Sequence, residues 1–330
     1  MTIEPRPKRY PPPEFPPRRP ALFARTPPAI FPPILGLLGL VLALRLAVAR
    51  LGGDPGPADL VAGVAVALWG FATFAYLGKL ARRPAVVLED LRVLPGRSGL
   101  AAMTMGGMAV ASILSVYASP VALVVLAVAL AGHVVLAALL ARLLLTLPPE
   151  ARAVNPTLHL SFVGVIVAAP AALALGLPGL AEGLFWGAMP VALVIWGLSL
   201  RQFLRSSPPA PLRPLLAIHL APAALLAAVA GLLGRGDLAE VFLMLGAGYA
   251  LVLLAAGRWV IAAGVSPLWG AFTFPLAALA LAMLVVGGVW QGPGLGLVVL
   301  GMALIPWVLW WVWKRWPGGR LAAVTNAAEA

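Results

Sequence analysis

Long uninterrupted apolar segments, separated by short polar connections, dominate the pattern of the chain. A helix needs about 20 apolar residues to cross a bilayer core of about 30 Å. Strands of a membrane barrel would instead be about ten residues long and would alternate in polarity. The apolar runs are longer and do not alternate, so they predict an all-α integral membrane protein. Ten runs are long enough: 30–50, 58–80, 99–118, 121–145, 159–177, 180–203, 214–234, 238–259, 266–288 and 294–314.

The connections between these runs alternate in length. Those after the first, third, fifth, seventh and ninth runs are short, and the others are mostly longer and more basic. The pattern predicts five helical hairpins in series. Hairpin starts recur every 50–70 residues or so, which is a weak internal repeat.

Basic residues indicate the orientation of the chain. They concentrate in the N-terminal segment, the longer connections and the C-terminal end, whereas Arg50 and Arg235 lie near short connections. Because positive loops face the cytoplasm, ten spans would place both termini there, in a bacterial inner membrane. We predict a disordered cytoplasmic tail rich in Pro and Arg at 1–29, a ten-helix transmembrane domain at 30–314 and a cytoplasmic tail at 315–330.

Composition narrows the function classes. The chain is 62% hydrophobic and only 10% charged, and it has no cysteine and three scattered histidines. The absence of cysteine excludes thiolate metal sites and thiol nucleophiles, and the scattered histidines argue against a haem or a His-rich metal site. We therefore expect no metal, no cofactor and no enzymatic activity. The net charge of +12 indicates contact with anionic lipid rather than nucleic acid.

Ionisable residues within the apolar runs are few. Arg45 lies well inside the first run, where it could pack near the outer interface or attract anions. His133 lies near the middle of the fourth run, where a hydrogen bond between helices and a titratable role are both open. His159 and His219 fall near cytoplasmic ends, where we expect them at the membrane interface.

No Asp or Glu is predicted at mid-depth in any run. Carriers coupled to protons or sodium commonly place a carboxylate there to bind the coupling ion. Its absence favours passive movement of anions and excludes a cation pathway lined by acidic rings.

Three prolines interrupt odd-numbered runs, namely Pro170, Pro222 and Pro275. A proline within a helix frees a carbonyl group and kinks the helix, and in lipid that carbonyl must face protein or a water-filled cavity. The pattern predicts odd-numbered helices around a lumen and even-numbered helices outside, although proline is also common in membrane helices. Hydroxyl groups that could line the lumen are those of Thr104, Ser112, Ser161 and Thr273.

Two aromatic residues, Phe272 and Phe274, flank Thr273 beside Pro275. An aromatic ring can close an apolar lumen, and its rotation would open it. From the sequence alone, packing between helices or contact with lipid is the favoured role for both rings.

Three stretches resemble a known family. They are the segment that starts Thr26-Pro-Pro-Ala-Ile-Phe-Pro-Pro and runs on to Arg45, the segment Asn155-Pro-Thr-Leu-His-Leu-Ser-Phe-Val-Gly, and the segment Trp269-Gly-Ala-Phe-Thr-Phe-Pro. They resemble the first, fifth and ninth helices of the tellurite-resistance/dicarboxylate transporter family. This family includes bacterial tellurite-resistance proteins, fungal malate and sulfite exporters, and slow-type anion channels of plants.

The resemblance implies five hairpins in a quasi-fivefold ring, a pore through each protomer and a homotrimer. It also implies a phenylalanine that blocks the pore, for which Phe274 is the first choice and Phe272 the second. The expected substrates are small inorganic or organic anions. Passive conduction is the main hypothesis, and a proton-coupled exporter of dicarboxylate, sulfite or tellurite-type oxyanions is the alternative.

Overall fold

The computed structural model describes residues 21–148 and 152–330, and this part of the chain folds into helices joined by short connections. Eight helices are long and apolar enough to cross a membrane. Some include a short 3₁₀ turn at one end. They are Pro28–Arg50, Gly56–Arg82, Ser119–Thr146, Pro178–Phe203, Ala210–Leu232, Gly236–Ala255, Pro267–Val286 and Gly288–Trp313.

The α-helices are numbered in chain order. The first seven are α1 (Phe31–Arg50), α2 (Gly56–Arg82), α3 (Val86–Arg92), α4 (Leu94–Leu114), α5 (Ser119–Thr146), α6 (Thr157–Phe162) and α7 (Ala168–Ala174). The others are α8 (Pro178–Phe203), α9 (Leu220–Leu232), α10 (Gly236–Ala255), α11 (Gly257–Val260), α12 (Gly270–Val286), α13 (Gln291–Trp313) and α14 (Arg320–Val324).

Two of the ten predicted spans differ from the eight long helices. The third corresponds to α4, a continuous helix of 21 residues whose first turns include Arg97 and Ser98, so it is less apolar than its neighbours. The fifth is divided into α6, a 3₁₀ segment Gly164–Val167 and α7. Neither is therefore a single long apolar helix.

Burial divides the helices into two groups. In the most apolar part of the helices that begin at Pro28, Ala210 and Pro267, between 67 and 83% of the residues are buried. In the other five long helices the buried share is only 22 to 33%. These three helices therefore lie inside, together with α4 and the α6–α7 segment, whose residues are mostly buried. The other five long helices present apolar side chains outward, which is the arrangement expected of a protein surrounded by lipid.

The inner helices contact one another in sequence. α1 packs against α4 and α12, α4 packs against α6 and α7, and α9 packs against α12 and against the Gly164–Val167 segment. Each inner helix also packs against the helix that follows its hairpin turn, as α9 does with α10. The order of contacts thus returns from α12 to α1.

Glycine ends two of the inner helices in the same way. Gly176 after α7 and Gly234 after α9 have φ angles of +75° and +73°, which glycine adopts without a steric penalty. In each turn the amide after the glycine donates to the carbonyl five residues earlier, from Leu177 to Ala172 and from Arg235 to Ala230. This shared C-terminal motif supports the internal repeat of hairpins.

The ordered fold extends beyond the predicted transmembrane domain at both ends. Of the predicted tail at 1–29, residues 1–20 lie outside the described residues, whereas Ala24 and Thr26 are fully buried. At the other end, Leu321 on α14 is buried, and the amide of Ala330 donates to the carbonyl of Ala24 at 3.1 Å. The two ends of the described chain therefore pack together on one face of the bundle.

Candidate functional site: an apolar central cavity

The inner segments converge on one cavity of about 480 Å³, counted with its open mouth. Five inner segments contribute residues from near their beginnings: those that contain α1, α4, α6, α9 and α12. The lining is almost entirely apolar and contains no carboxylate. It comprises Ala29, Pro32, Leu35, Pro95, Ser98, Ala102, Leu160, Leu215, Ile218, Pro267, Leu268, Gly270, Ala271, Phe274 and Pro275.

Phe274 lines this cavity from α12 and is only 5% exposed. Its ring lies against Gly39 of α1, where the absence of a side chain leaves room for it. Phe272 is two residues earlier, which on a helix is a rotation of about 200°. Its ring packs edge-on against Trp269 with centroids 5.6 Å apart, and it does not line the cavity. The helix thus separates the two phenylalanines predicted as gate residues.

Thr273 joins α12 to α1. Its hydroxyl donates to the carbonyl of Gly270 at 2.7 Å and lies 3.2 Å from the carbonyl of Pro32. The side chain is fully buried against Gly36. This residue, predicted to line the lumen, is instead placed at a contact between two inner helices.

The other predicted hydroxyl groups are also used within the bundle. Thr104 lies 2.7 Å from Nδ1 of His133, and Ser112 donates to the carbonyl of Met108 at 3.4 Å. Ser161 is buried in α6 but lines neither cavity described here. Ser98, which sequence analysis missed, is the hydroxyl that lines the central cavity.

The three prolines lie close to points where the backbone changes from a 3₁₀ to an α-helical conformation. Pro170 and Pro222 are each the third residue of an α-helix, α7 and α9, that continues from a 3₁₀ segment. The first turn of a helix needs no amide donor, so proline fits there. Pro275 is inside α12 and lines the central cavity, and Pro222 lines a second cavity.

The second cavity, of about 190 Å³ counted with its open mouth, lies between α4, α6 and α9 and shares Leu160 with the first. His159 lines it and is 2% exposed. Nε2 of His159 is 2.9 Å from Nδ1 of His219, which is 9% exposed. The structure therefore places these two histidines together inside the bundle. Their 60-residue separation in the sequence gave no signal of this contact.

His133 is nearly fully buried in α5 and faces α4 and the Gly164–Val167 segment. Besides its contact with Thr104, its ring lies so close to Gly164 that a Cβ there would come within 3.0 Å of Nε2. The residue thus connects an outer helix to two inner segments, as the hydrogen-bonding interpretation predicts.

Arg45 is paired with a carboxylate. Its Nε lies 3.1 Å from Oδ1 of Asp59 on α2, and its guanidinium lies 5.3 Å from the centre of the Tyr117 ring. Because Asp59 offsets the charge of Arg45, this geometry favours its structural role over attraction of anions.

Sequence analysis missed a buried ion pair between Lys79 on α2 and Asp90 on α3. Both side chains are fully buried, with Nζ 2.9 Å from Oδ2. Asp90 also accepts from the Tyr76 hydroxyl at 2.9 Å and from the backbone amide of Ala328 at 2.8 Å. Lys79 also donates to the carbonyl of Thr26. The pair thus holds the chain ends against the α2–α3 turn.

A second buried cation, Arg97, is 4% exposed near the start of α4, next to Ser98. Its Nε donates to the carbonyl of Leu91 at 3.2 Å. Across residues 21–148 and 152–330, no group of three or more His, Cys, Asp or Glu side chains is placed to hold a metal ion.

Comparison with known proteins agrees with this architecture. No curated protein matches the chain. A family model described as voltage-dependent anion channel matches residues 25–313, which include all the long apolar helices. This confirms the resemblance found in the sequence and shows a multi-pass membrane protein of a family of anion channels and transporters. The chain belongs to the voltage-dependent anion channel (SLAC1) family.

Proposed function

We propose that the protein is a passive channel for small anions, with a pore through each protomer that Phe274 closes. The observation that carries this proposal is the central cavity: five inner segments meet there, its lining has no carboxylate, and one aromatic ring reaches it. An anion in such a passage needs weak solvation by hydroxyl and backbone groups, since conduction requires exit as well as entry.

The proposal treats α4 and the divided α6–α7 segment as two further spans, so that ten spans form five hairpins. Backbone breaks are tolerated at membrane depth where they are buried in protein or line a cavity. The α6–α7 segment meets this condition, because most of its residues are buried and Leu160 and Gly164 line cavities. The closed order of helix contacts supports a quasi-fivefold ring around the pore.

Charge supports the proposed orientation in a bacterial inner membrane, with both termini in the cytoplasm. The cavity is lined by the first residues of the inner segments, on the same side as most of the basic connections. Arg97 and Ser98 lie at that end of α4 and would favour the entry of anions. A homotrimer, as the family resemblance implies, completes the proposal.

Anion flux in proteoliposomes tests the proposal. The purified protein should carry chloride, nitrate, sulfite or malate at a rate set by the gradient of that anion. The flux should reverse at the Nernst potential of the anion, and an imposed proton gradient should not shift this reversal potential. Absence of flux for every anion in a panel of monovalent and divalent anions would reject the channel.

A proton-coupled exporter of dicarboxylate, sulfite or tellurite-type oxyanions is the alternative. The buried contact between His159 and His219 favours it, because these are titratable side chains beside a cavity. Uphill anion movement driven by a proton gradient alone would establish this alternative and reject the passive channel.

A further inference from the structure

We propose that His159 and His219 form a proton-linked anion site, at which the pair takes up one proton when a small monovalent anion occupies the second cavity. This inference rests on the proposed function in that the anion reaches the site from the central cavity. Leu160 lines both cavities, so the two spaces adjoin at its side chain.

The first argument is the hydrogen bond within the pair. At 2.9 Å, one of the facing nitrogens must donate and the other accept, so the two imidazoles share one proton along this contact. Nδ1 of His159 is buried and has no hydrogen-bond partner in the described part of the chain. A buried polar atom without a partner is uncommon, and a ligand or ordered water is a standard reason for one.

The second argument is the set of groups around the pair. Trp196 lies 5.6 Å from His159 between ring centroids and donates to the carbonyl of His219. Tyr249 faces His219 at 6.2 Å and donates to the carbonyl of Leu216. The rest of the cavity wall is apolar apart from the backbone: Met105, Leu160, Val163, Gly164, Ala221, Pro222 and Leu225.

Charged groups on the surrounding elements are used elsewhere. Nδ1 of His133 on α5 contacts Thr104, although its buried Nε2 has no hydrogen-bond partner among the described residues, and Arg97 of α4 donates to Leu91. Arg213, in the same 3₁₀ segment as His219, stacks on Trp259. Glu182 of α8 pairs with Arg235. The other charged residues of α5, α8 and α10 are exposed: Arg142, Arg201, Asp237 and Glu240.

A proton on the pair would therefore create a buried cation with no carboxylate beside it among the described residues. An uncompensated buried charge is very costly. An anion in the adjoining cavity supplies the missing counter-charge, and protonation in turn supplies the charge that binds the anion. By linkage, each must strengthen the binding of the other by the same factor. The site would thus favour small monovalent anions over cations and neutral molecules.

Proton uptake on anion binding is the decisive measurement. Nitrate is added to the purified full-length protein in weakly buffered detergent solution containing a pH indicator, because nitrate itself does not titrate in this range. We expect uptake of up to one proton per chain, and a nitrate affinity that falls by up to about tenfold per pH unit above the titration range. Gluconate is the control for ionic strength.

Two variants locate the effect. His159→Gln and His219→Gln should each abolish the proton uptake, whereas His133→Gln, which changes a third buried histidine, should keep it. Nitrate binding to the wild-type protein with no proton uptake between pH 5 and 8 would overturn the inference even if the variants did not fold. Proton uptake that persists in folded His159→Gln and His219→Gln proteins would also overturn the inference.

Failure of this inference can be distinguished from failure of the proposed function. Nitrate flux through proteoliposomes together with pH-independent nitrate binding would leave the channel in place and reject the proton-linked site. Proton-linked nitrate binding without flux would reject the channel and leave the proton-linked site in place.

Discussion

Gly39 of α1 lies directly against the ring of Phe274 on α12: a Cβ at Gly39 would come within 3.2 Å of the ring carbon Cδ2. The ring therefore rests on the bare backbone of a neighbouring helix while it lines the central cavity. A side chain held in this way can rotate only where the cavity gives it space. The position of the proposed gate therefore depends on how α1 and α12 pack together.

Removal of this ring should open the proposed pore. We expect Phe274→Ala to raise anion flux in proteoliposomes by about tenfold or more, which corresponds to a barrier lower by about 1.4 kcal/mol. Phe272→Ala is the matched control, because it removes the same side chain from the same helix at a position packed on Trp269. Equal flux in wild type and the folded Phe274→Ala variant would remove this role.

The contact between α1 and α12 should be sensitive to one methyl group. A Cβ at Gly36 would collide with the Thr273 hydroxyl, which is held by hydrogen bonding to Gly270. We expect Gly36→Ala to reduce stability by about 1–3 kcal/mol, as overpacking does. Thermal unfolding in detergent would measure this, with Gly63→Ala as the control because its Cβ would meet open space. Equal melting temperatures would show that the contact relaxes without cost.

Breaking the buried ion pair of Lys79 and Asp90 should reduce stability far more than breaking the partly exposed pair of Arg83 and Glu89. Lys79→Met leaves Asp90 buried without its cation, which costs roughly 3–5 kcal/mol when one partner of such a pair is removed. Glu89→Gln breaks the partly exposed pair with Arg83 and should cost at most about 1 kcal/mol. Chemical or thermal unfolding of the two variants compares them, and similar losses would contradict the assigned importance of burial.

Neither Arg45 nor Asp59 lines either of the two cavities, so neither residue should control anion entry. We expect Arg45→Gln to change flux by less than about twofold at physiological salt, where the Debye length is only about 8 Å. Asp59→Asn should have an equally small effect. A flux that falls with Arg45→Gln and rises with Asp59→Asn would instead show that Arg45 attracts anions.

The pattern of the chain by itself determined the class of protein and most of its helices. Seven of the eight long helices overlap a predicted span nearly end to end, and Gly288–Trp313 includes all but the last residue of the tenth. Length and hydropathy are local properties, so a window of about 20 residues contains the information needed. Three short motifs were sufficient to predict the family that the match over residues 25–313 confirms.

Only the tertiary structure decided which side chains meet. Helices that are apolar on all sides carry little record of which face is turned inward, so the apolar pattern did not distinguish Phe272 from Phe274, and only the family resemblance ranked Phe274 first. The contacts of His159 with His219, Lys79 with Asp90 and Thr273 with α1 join separate elements. Such contacts depend on how each helix is rotated and packed against the others, which is a property of the assembled bundle rather than of any single segment.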